Sequence, residues 1–235
     1  MVAPLSNAVC IPMSGNKEMN SKVEDAVAAI ERGETSINLI RRGIGDADVA
    51  SLAAAIETST FLREIYLGGN TITDVGAAAL AAAIAKSTSI RCLNLCQNHI
   101  TGVGAMALSG AITKSTSLQT ISVFCNQITN VGAIALAAAI EKSSSLESLN
   151  LGYNRITDAG ARALATAIEK SASLRFMDLS SNLITDAGAA TLAIAVETSR
   201  FVEVCQFGDV SSPTPAGERS RWPSSIAPLV GRFGR

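Results

Sequence analysis

The sequence predicts an α/β fold of solenoid type, a horseshoe with one parallel sheet on its concave face and a row of helices on its convex face. Three observations carry that expectation. Residues 146 to 173 reappear at 118 to 145, at 90 to 117, at 62 to 89 and at 174 to 201, with a period of 28 residues that never slips. Each unit opens on alternating apolar and polar residues and then passes to helical spacing. An asparagine holds one slot throughout, as Asn70, Asn98, Asn126, Asn154 and Asn182. A fixed period of this length marks stacked units that cannot bury their apolar faces singly.

Taken from the start, residues 1–20 have no basic segment, and Pro4, Asn7 and Pro12 interrupt their apolar run. They read as a flexible leader rather than a signal peptide. In residues 21–33, Ser21 and Glu24 have the spacing of a capping box, Val23, Ala26, Val27 and Ile30 share one helical face, and Gly33 ends the pattern. This segment is expected to be a half-repeat that caps the N-terminal end of the stack. Residues 34–209 then hold six full repeats and a seventh strand. The first deviates, with Arg42 in the asparagine slot and Asp48 in a glycine slot. From 210 to 235 the period is lost in a stretch with four prolines and four arginines, a composition expected to be disordered.

Within the unit 146–173, Leu146, Leu149 and Leu151 alternate with Ser148 and Asn150 as in a half-buried strand. From Asp158 onward, Ala161, Leu164, Ala165 and Ile168 lie on one helical stripe. Thr157 or Asp158 suits the N-cap, Lys170 suits the last turn, and the serines after it return the chain to the next strand. The recurring asparagine is suited to pair with backbone of its own turn and of the repeat alongside. Alanine dominates the helices, and Ala79, Ala107, Ala135 and Ala163, with Ala82, Gly110 and Ala138 beside them, read as an outward stripe of helix-favouring residues.

The pattern L-x-x-L-x-L-x-x-N over about residues 34 to 207 resembles the leucine-rich repeat. The unit with I-T-D-x-G-A-x-A-L-A is similar to the ribonuclease-inhibitor-like subfamily, which also supplies the repeat domains of NOD-like receptors and of Ran GTPase-activating proteins. The resemblance implies a protein-interaction module. It also implies two alternatives: a Ran-type GTPase activator, for which Arg41 and Arg42 are the only candidate arginines, and the sensor fragment of a NOD-like receptor. The chain departs from the Ran type in having no lengthened loop and no acidic C-terminal tail.

Strands about 4.8 Å apart facing helices about 8 to 10 Å apart must curve with the sheet on the shorter arc. Strand slots three, five and seven of each unit then point into the concave face. Tyr66, Asn94, Phe124, Asn150, Phe176 and Asp178 occupy such slots, and Tyr153 follows in a turn. Aromatics among polar neighbours are the usual anchors of protein interfaces, so these seven residues are the candidate protein-binding face. Phe124 could also fill the space left by Gly152.

Other classes are not expected. A net charge of −1 offers no electrostatic footprint for nucleic acid, and no run reaches the roughly 20 apolar residues of a bilayer span. Five cysteines, an odd number, point to a reduced, cytoplasmic setting. Cys92, Cys96 and Cys125 could approach one another, yet without a C-x-x-C pair they read as small half-buried thiols and not as a metal site. The single histidine, His99, has no nucleophile arranged beside it, and no glycine-rich phosphate loop is present. No catalytic residue, cofactor or metal is therefore assigned.

Overall fold

Each repeat contributes a strand of only three residues, because a polar turn follows at once and bends the chain toward its helix. A computed structural model describes residues 19–202 and 204–206 of the chain. The elements run α1 (Met19–Glu31), β1 (Ser36–Asn38), α2 (Asp46–Thr58), β2 (Glu64–Tyr66), α3 (Asp74–Ile84), β3 (Cys92–Asn94) and α4 (Gly102–Lys114). They continue with β4 (Thr120–Ser122), α5 (Asn130–Ile140), β5 (Ser148–Asn150), α6 (Asp158–Lys170), β6 (Phe176–Asp178), α7 (Asp186–Thr198) and β7 (Val204–Gln206). The strands form one parallel sheet in chain order. Register follows the repeat, since Ile65, Leu93, Ile121, Leu149 and Met177 stand side by side. Backbone pairing runs past the strand ends, with Leu67 N donating to Asn94 O and Gly69 N to Cys96 O.

The core lies between sheet and helices and repeats slot by slot. In one unit Leu62, Ile65, Leu67, Ile72, Ala77, Leu80 and Ile84 are all closed to solvent, and the corresponding residues of the next units are too. The same side chain therefore meets its own counterpart above and below, and a leucine that satisfies one repeat satisfies all.

Three readings of the sequence are corrected. Helix α1 begins at Met19, so Ser21 lies inside it and not at an N-cap; residues 19 and 20 belong to the helix and not to the leader. Residues 1–18 and the tail read as disordered from 210 lie outside the described residues. The stripe Ala79, Ala107, Ala135 and Ala163 is half-buried, and Ala79, Ala107 and Ala163 pack against the core. The outermost apolar row is instead Val75, Val103 and Val131, with Met106 and Ile134 one turn on.

Helix α1 ends as its glycine requires. Gly33 takes φ +86°, its N–H donates to Ile30 O, and Glu34 N donates to Ala29 O, which is the Schellman arrangement.

Two hydrogen-bond ladders tie repeat to repeat. In the first, Asn126 Nδ2 donates to Leu95 O and Val123 O at 3.0 and 3.1 Å, while its Oδ1 accepts from Ile100 N at 3.0 Å. Asn98 and Asn154 do the same one repeat earlier and later, and Asn70 and Asn182 two repeats away. Each amide thus satisfies backbone groups of its own turn and of the preceding repeat.

The second ladder joins helix N-termini, through residues whose spacing in the sequence predicts only local caps. Asp46 Oδ1 accepts from Thr73 N and Gly76 N, both at 2.9 Å, and its Oδ2 accepts from the Thr73 hydroxyl at 2.6 Å. Asp74 serves Thr101 and Gly104 in the same way, and Asp158 serves Thr185. Asn130 replaces the carboxylate for Thr157 and Gly160. Gly102, at the corresponding position of α4, breaks the series.

Candidate binding face

The concave face is built from the alternate slots of β1 to β6, and its middle is uncharged. From β3 to β5 the side chains at these slots are Cys92, Asn94, Cys96, Thr120, Ser122, Phe124, Ser148 and Asn150, with Gly152 closing the series. Two features shape it. One is a pair of rings, and the other is a row of side-chain amides.

Phe124 and Tyr153 form the only ring pair among the described residues, with centroids 5.0 Å apart and planes tilted by 53°. Their meeting follows from local backbone. Tyr153 occupies the turn slot after β5 in the left-handed region, φ 55°, which lifts its side chain over the face, and it remains 55% exposed. Phe124 lies over Gly152, where an added Cβ would come within 3.1 Å of its Cδ2. The ring therefore both fills the glycine gap and offers an edge to solvent. Tilted rings at this separation attract beyond their shared area.

Not all seven candidate residues join this pair. Phe176 occupies slot three of β6, opposite Ser148, so the full length of a strand separates it from the slot of Phe124. Tyr66 belongs to another cluster, where its hydroxyl donates to Glu64 Oε2 at 3.1 Å. Burial pushes the Tyr66 phenol up to about 12, helped by Cys92 and Glu64, and pushes the Cys92 thiol up to about 11, helped by Glu64 and Cys96. Both groups stay protonated at neutral pH. Asp178 is 6% exposed and its Oδ1 accepts from Ser180 N at 2.9 Å, so it closes a turn and presents little surface.

Asn94 and Asn150 close the same turn. Asn94 Oδ1 accepts from Cys96 N at 3.0 Å, and Asn150 Oδ1 from Gly152 N at 2.9 Å. Asn38 Oδ1 accepts likewise from Ile40 N at 3.1 Å. These bonds orient each amide with its oxygen toward the backbone. The Nδ2 groups are left facing the concave side.

The other singled-out groups lie apart. His99 is exposed in a turn. Arg41 and Arg42 are exposed beyond β1; Arg41 has φ 55° and its Cγ lies over Gly69, and Arg42 N donates to Asn70 Oδ1 at 3.1 Å. Cys96 Sγ is 2.9 Å from Ser122 Oγ, and burial raises its pKa. No cluster of His, Cys, Asp and Glu suited to a metal ion occurs among the described residues. No described helix is long and apolar enough to cross a membrane.

Comparison with known proteins places this architecture. The solved structures similar to it include "Leiomodin-1 Actin-Binding Site 2 (ABS2)", at 21% identity over 54% of this chain and 76% of that one, TM-score 0.49. The C-terminal domain of tropomodulin from Caenorhabditis elegans matches at 16% identity over 75% and 92%, TM-score 0.49. Pollen receptor kinase 3 matches at 15% identity over 80% and 79%, TM-score 0.45. Likenesses this distant do not extend to shared partners. No curated protein matches the chain. The family model described as "Leucine Rich repeat" matches residues 58–81, 86–109, 114–137, 142–165 and 170–193, in step with the repeat and together over half of the sequence. By its repeat, its ladder of asparagines and this match, the chain belongs to the Leucine Rich repeat family.

Proposed function

We propose that this protein is a non-enzymatic interaction module that binds a protein or peptide through its concave face. The observation that supports the reading is the Phe124–Tyr153 pair, held at 5.0 Å on an uncharged stretch of that face with Tyr153 more than half exposed. Interface energy concentrates in a few rigid aromatics that a partner can desolvate, while polar neighbours mainly exclude water. Asn94 and Asn150 are the polar neighbours here. Phe176 and Tyr66 flank the pair along the sheet, and Asp178 contributes by shaping the turn. Cytoplasmic residence accords with three thiols left free.

The test is affinity capture from lysate of the source organism with three forms of the full chain. Phe124→Ser with Tyr153→Ser should lose captured partners at least tenfold while circular dichroism shows an unchanged fold. Ala82→Glu with Ala138→Glu, on exposed convex positions, should lose none. The reverse pattern would move the binding surface to the helices.

A further inference from the structure

The orientation of the concave amides specifies what kind of segment fits beside the rings. Asn38, Asn94 and Asn150 occupy the same slot on β1, β3 and β5, and each Oδ1 is consumed by a backbone N–H two residues on, at 3.1, 3.0 and 2.9 Å. The Nδ2 of Asn94 and of Asn150 has no partner among the described residues. The face thus presents amide N–H donors in a row, with the amide oxygens engaged by backbone. Alternate strands of a sheet are about 9.6 Å apart, twice the neighbour spacing. Between the two amides, on β4, lies Ser122, a small side chain whose Oγ is already 2.9 Å from Cys96 Sγ, so no larger side chain of that slot stands between them. From β3 to β5 no Asp, Glu, Lys, Arg or His points into the face.

A polyproline II helix meets each of these terms. It has three residues per turn and rises about 3.1 Å per residue, so carbonyls at i and i+3 recur on one side every ~9.3 Å, close to the spacing of Asn94 and Asn150. Those carbonyls have no internal partner and are free to accept. Proline brings no N–H, so it needs no acceptor from the face. Its rings are apolar and rigid and suit an exposed aromatic pair, and the conformation is largely set before binding. An extended β-type segment is a worse match, because its same-side carbonyls recur every ~6.8 Å.

We propose that the concave face takes a proline-rich segment in the polyproline II conformation, laid across β3 to β5 with carbonyls on Asn94 and Asn150 and rings against Phe124 and Tyr153. This rests on the concave-face reading above and adds the class of ligand. An uncharged ligand on an uncharged stretch makes binding insensitive to salt, unlike an ionic contact.

A blocked, fluorescently labelled decaproline is titrated into the full chain by anisotropy, with an alanine-rich helical peptide of equal length as comparator. Decaproline should saturate the native protein and the comparator should not. Asn94→Asp with Asn150→Asp removes the donors but keeps an oxygen for the turn, as Asp178 does with Ser180 N. This variant should keep its circular dichroism and lose at least tenfold in decaproline affinity. Side-chain amide resonances of Asn94 and Asn150 in the native protein should shift on titration. No binding of decaproline, or equal binding of the comparator, overturns the ligand class alone, provided the captured partner still depends on Phe124 and Tyr153. Decaproline bound with full affinity by Phe124→Ser/Tyr153→Ser overturns the concave-face reading with it. Full affinity in the double aspartate variant overturns the role of the amides.

Discussion

Asn126 holds three backbone groups from two repeats at once; Leu95 O also accepts from Asn98 Nδ2 and Val123 O from Asn154 Nδ2, so Ile100 N is the group that depends on Asn126 alone. Replacing it with leucine keeps the branched shape, strands Ile100 N away from water and leaves Leu95 O and Val123 O with one amide donor each. Each buried orphan costs about 1 to 3 kcal/mol. Asn126→Leu is therefore expected to lose at least about 1 kcal/mol in urea unfolding. Gln127→Leu, one residue on, should stay within about 0.5 kcal/mol of the parent; equal midpoints for the two variants would deny the ladder its role. That the asparagine matters was legible from its slot alone, because an amide recurring at a bend has few other uses. The backbone after it was less legible. Arg41, Gln97, Cys125, Tyr153 and Ser181 all adopt positive φ between 52° and 55°. Only Gly69, at φ 70° in the same slot, hinted at it in the sequence, since non-glycine residues take this conformation at a cost and leave no mark in composition. For that reason the lift of Tyr153 toward Phe124 had to be seen in the structure.

At the scale of elements, the helices are placed by close approach at their first turns. An added Cβ at Gly160 would lie 2.6 Å from Ile156 Cγ2 and 2.9 Å from Asn130 Oδ1, and Gly76, Gly104 and Gly188 are as crowded. Asp48 replaces this glycine in the first repeat because no aspartate of an earlier unit needs the space, and its Oδ2 instead accepts from Gly45 N at 2.9 Å. Strand and helix order was readable from periodicity, yet this ladder was not. The letters T-D-x-G look like a local cap, and only the stacking reveals that the aspartate serves the next unit. Two substitutions follow from the geometry. Gly160→Ala should destabilise by about 1 to 3 kcal/mol through overpacking, against the gain that alanine gives an open helix. Gly102→Asp should stabilise by about 1 kcal/mol, since it supplies the missing carboxylate at a helix N-terminus and removes a glycine. Gly102 Cα lies 3.1 Å from the position of a Cβ on Gly132, the same distance that Asp74 Cα keeps at Gly104, so the backbone already has the required spacing. The new side chain asks Thr129 Oγ1, 3.2 Å from its Cβ, to turn. Thermal melts of both variants check the pair, and a lower midpoint for Gly102→Asp would show that Thr129 cannot give way.

Across the whole molecule, a solenoid is held by nearest-neighbour interfaces, so its response to conditions is the set of responses of those interfaces. Acid should act on them unevenly. The bond from the Thr185 hydroxyl comes first among the causes that hold Asp158 below its ordinary value of 3.8, followed by backbone bonds from Thr185 and Gly188, and burial opposes them. For Asp46 burial is the largest single influence and raises the pKa, but the bonds from Thr73 and Gly76 together outweigh it and the carboxyl is also lowered. A carboxyl lowered by folding stabilises fully above its unfolded value and ceases to do so as pH falls through the folded one. The junctions α2–α3 and α6–α7 therefore loosen below about pH 3.8, the ordinary value of their carboxyls. The α5–α6 junction is held by the neutral amide of Asn130 and has no such dependence. Hydrogen exchange at pH 6 and at pH 3, expressed as protection factors, should show reduced protection at Thr73, Gly76 and Thr185 in acid. Thr157 and Gly160 should change little. Uniform loss at all five amides would mean that acid acts through global charge, and equal protection at both pH values would remove the carboxylates from the account of how the repeats are joined.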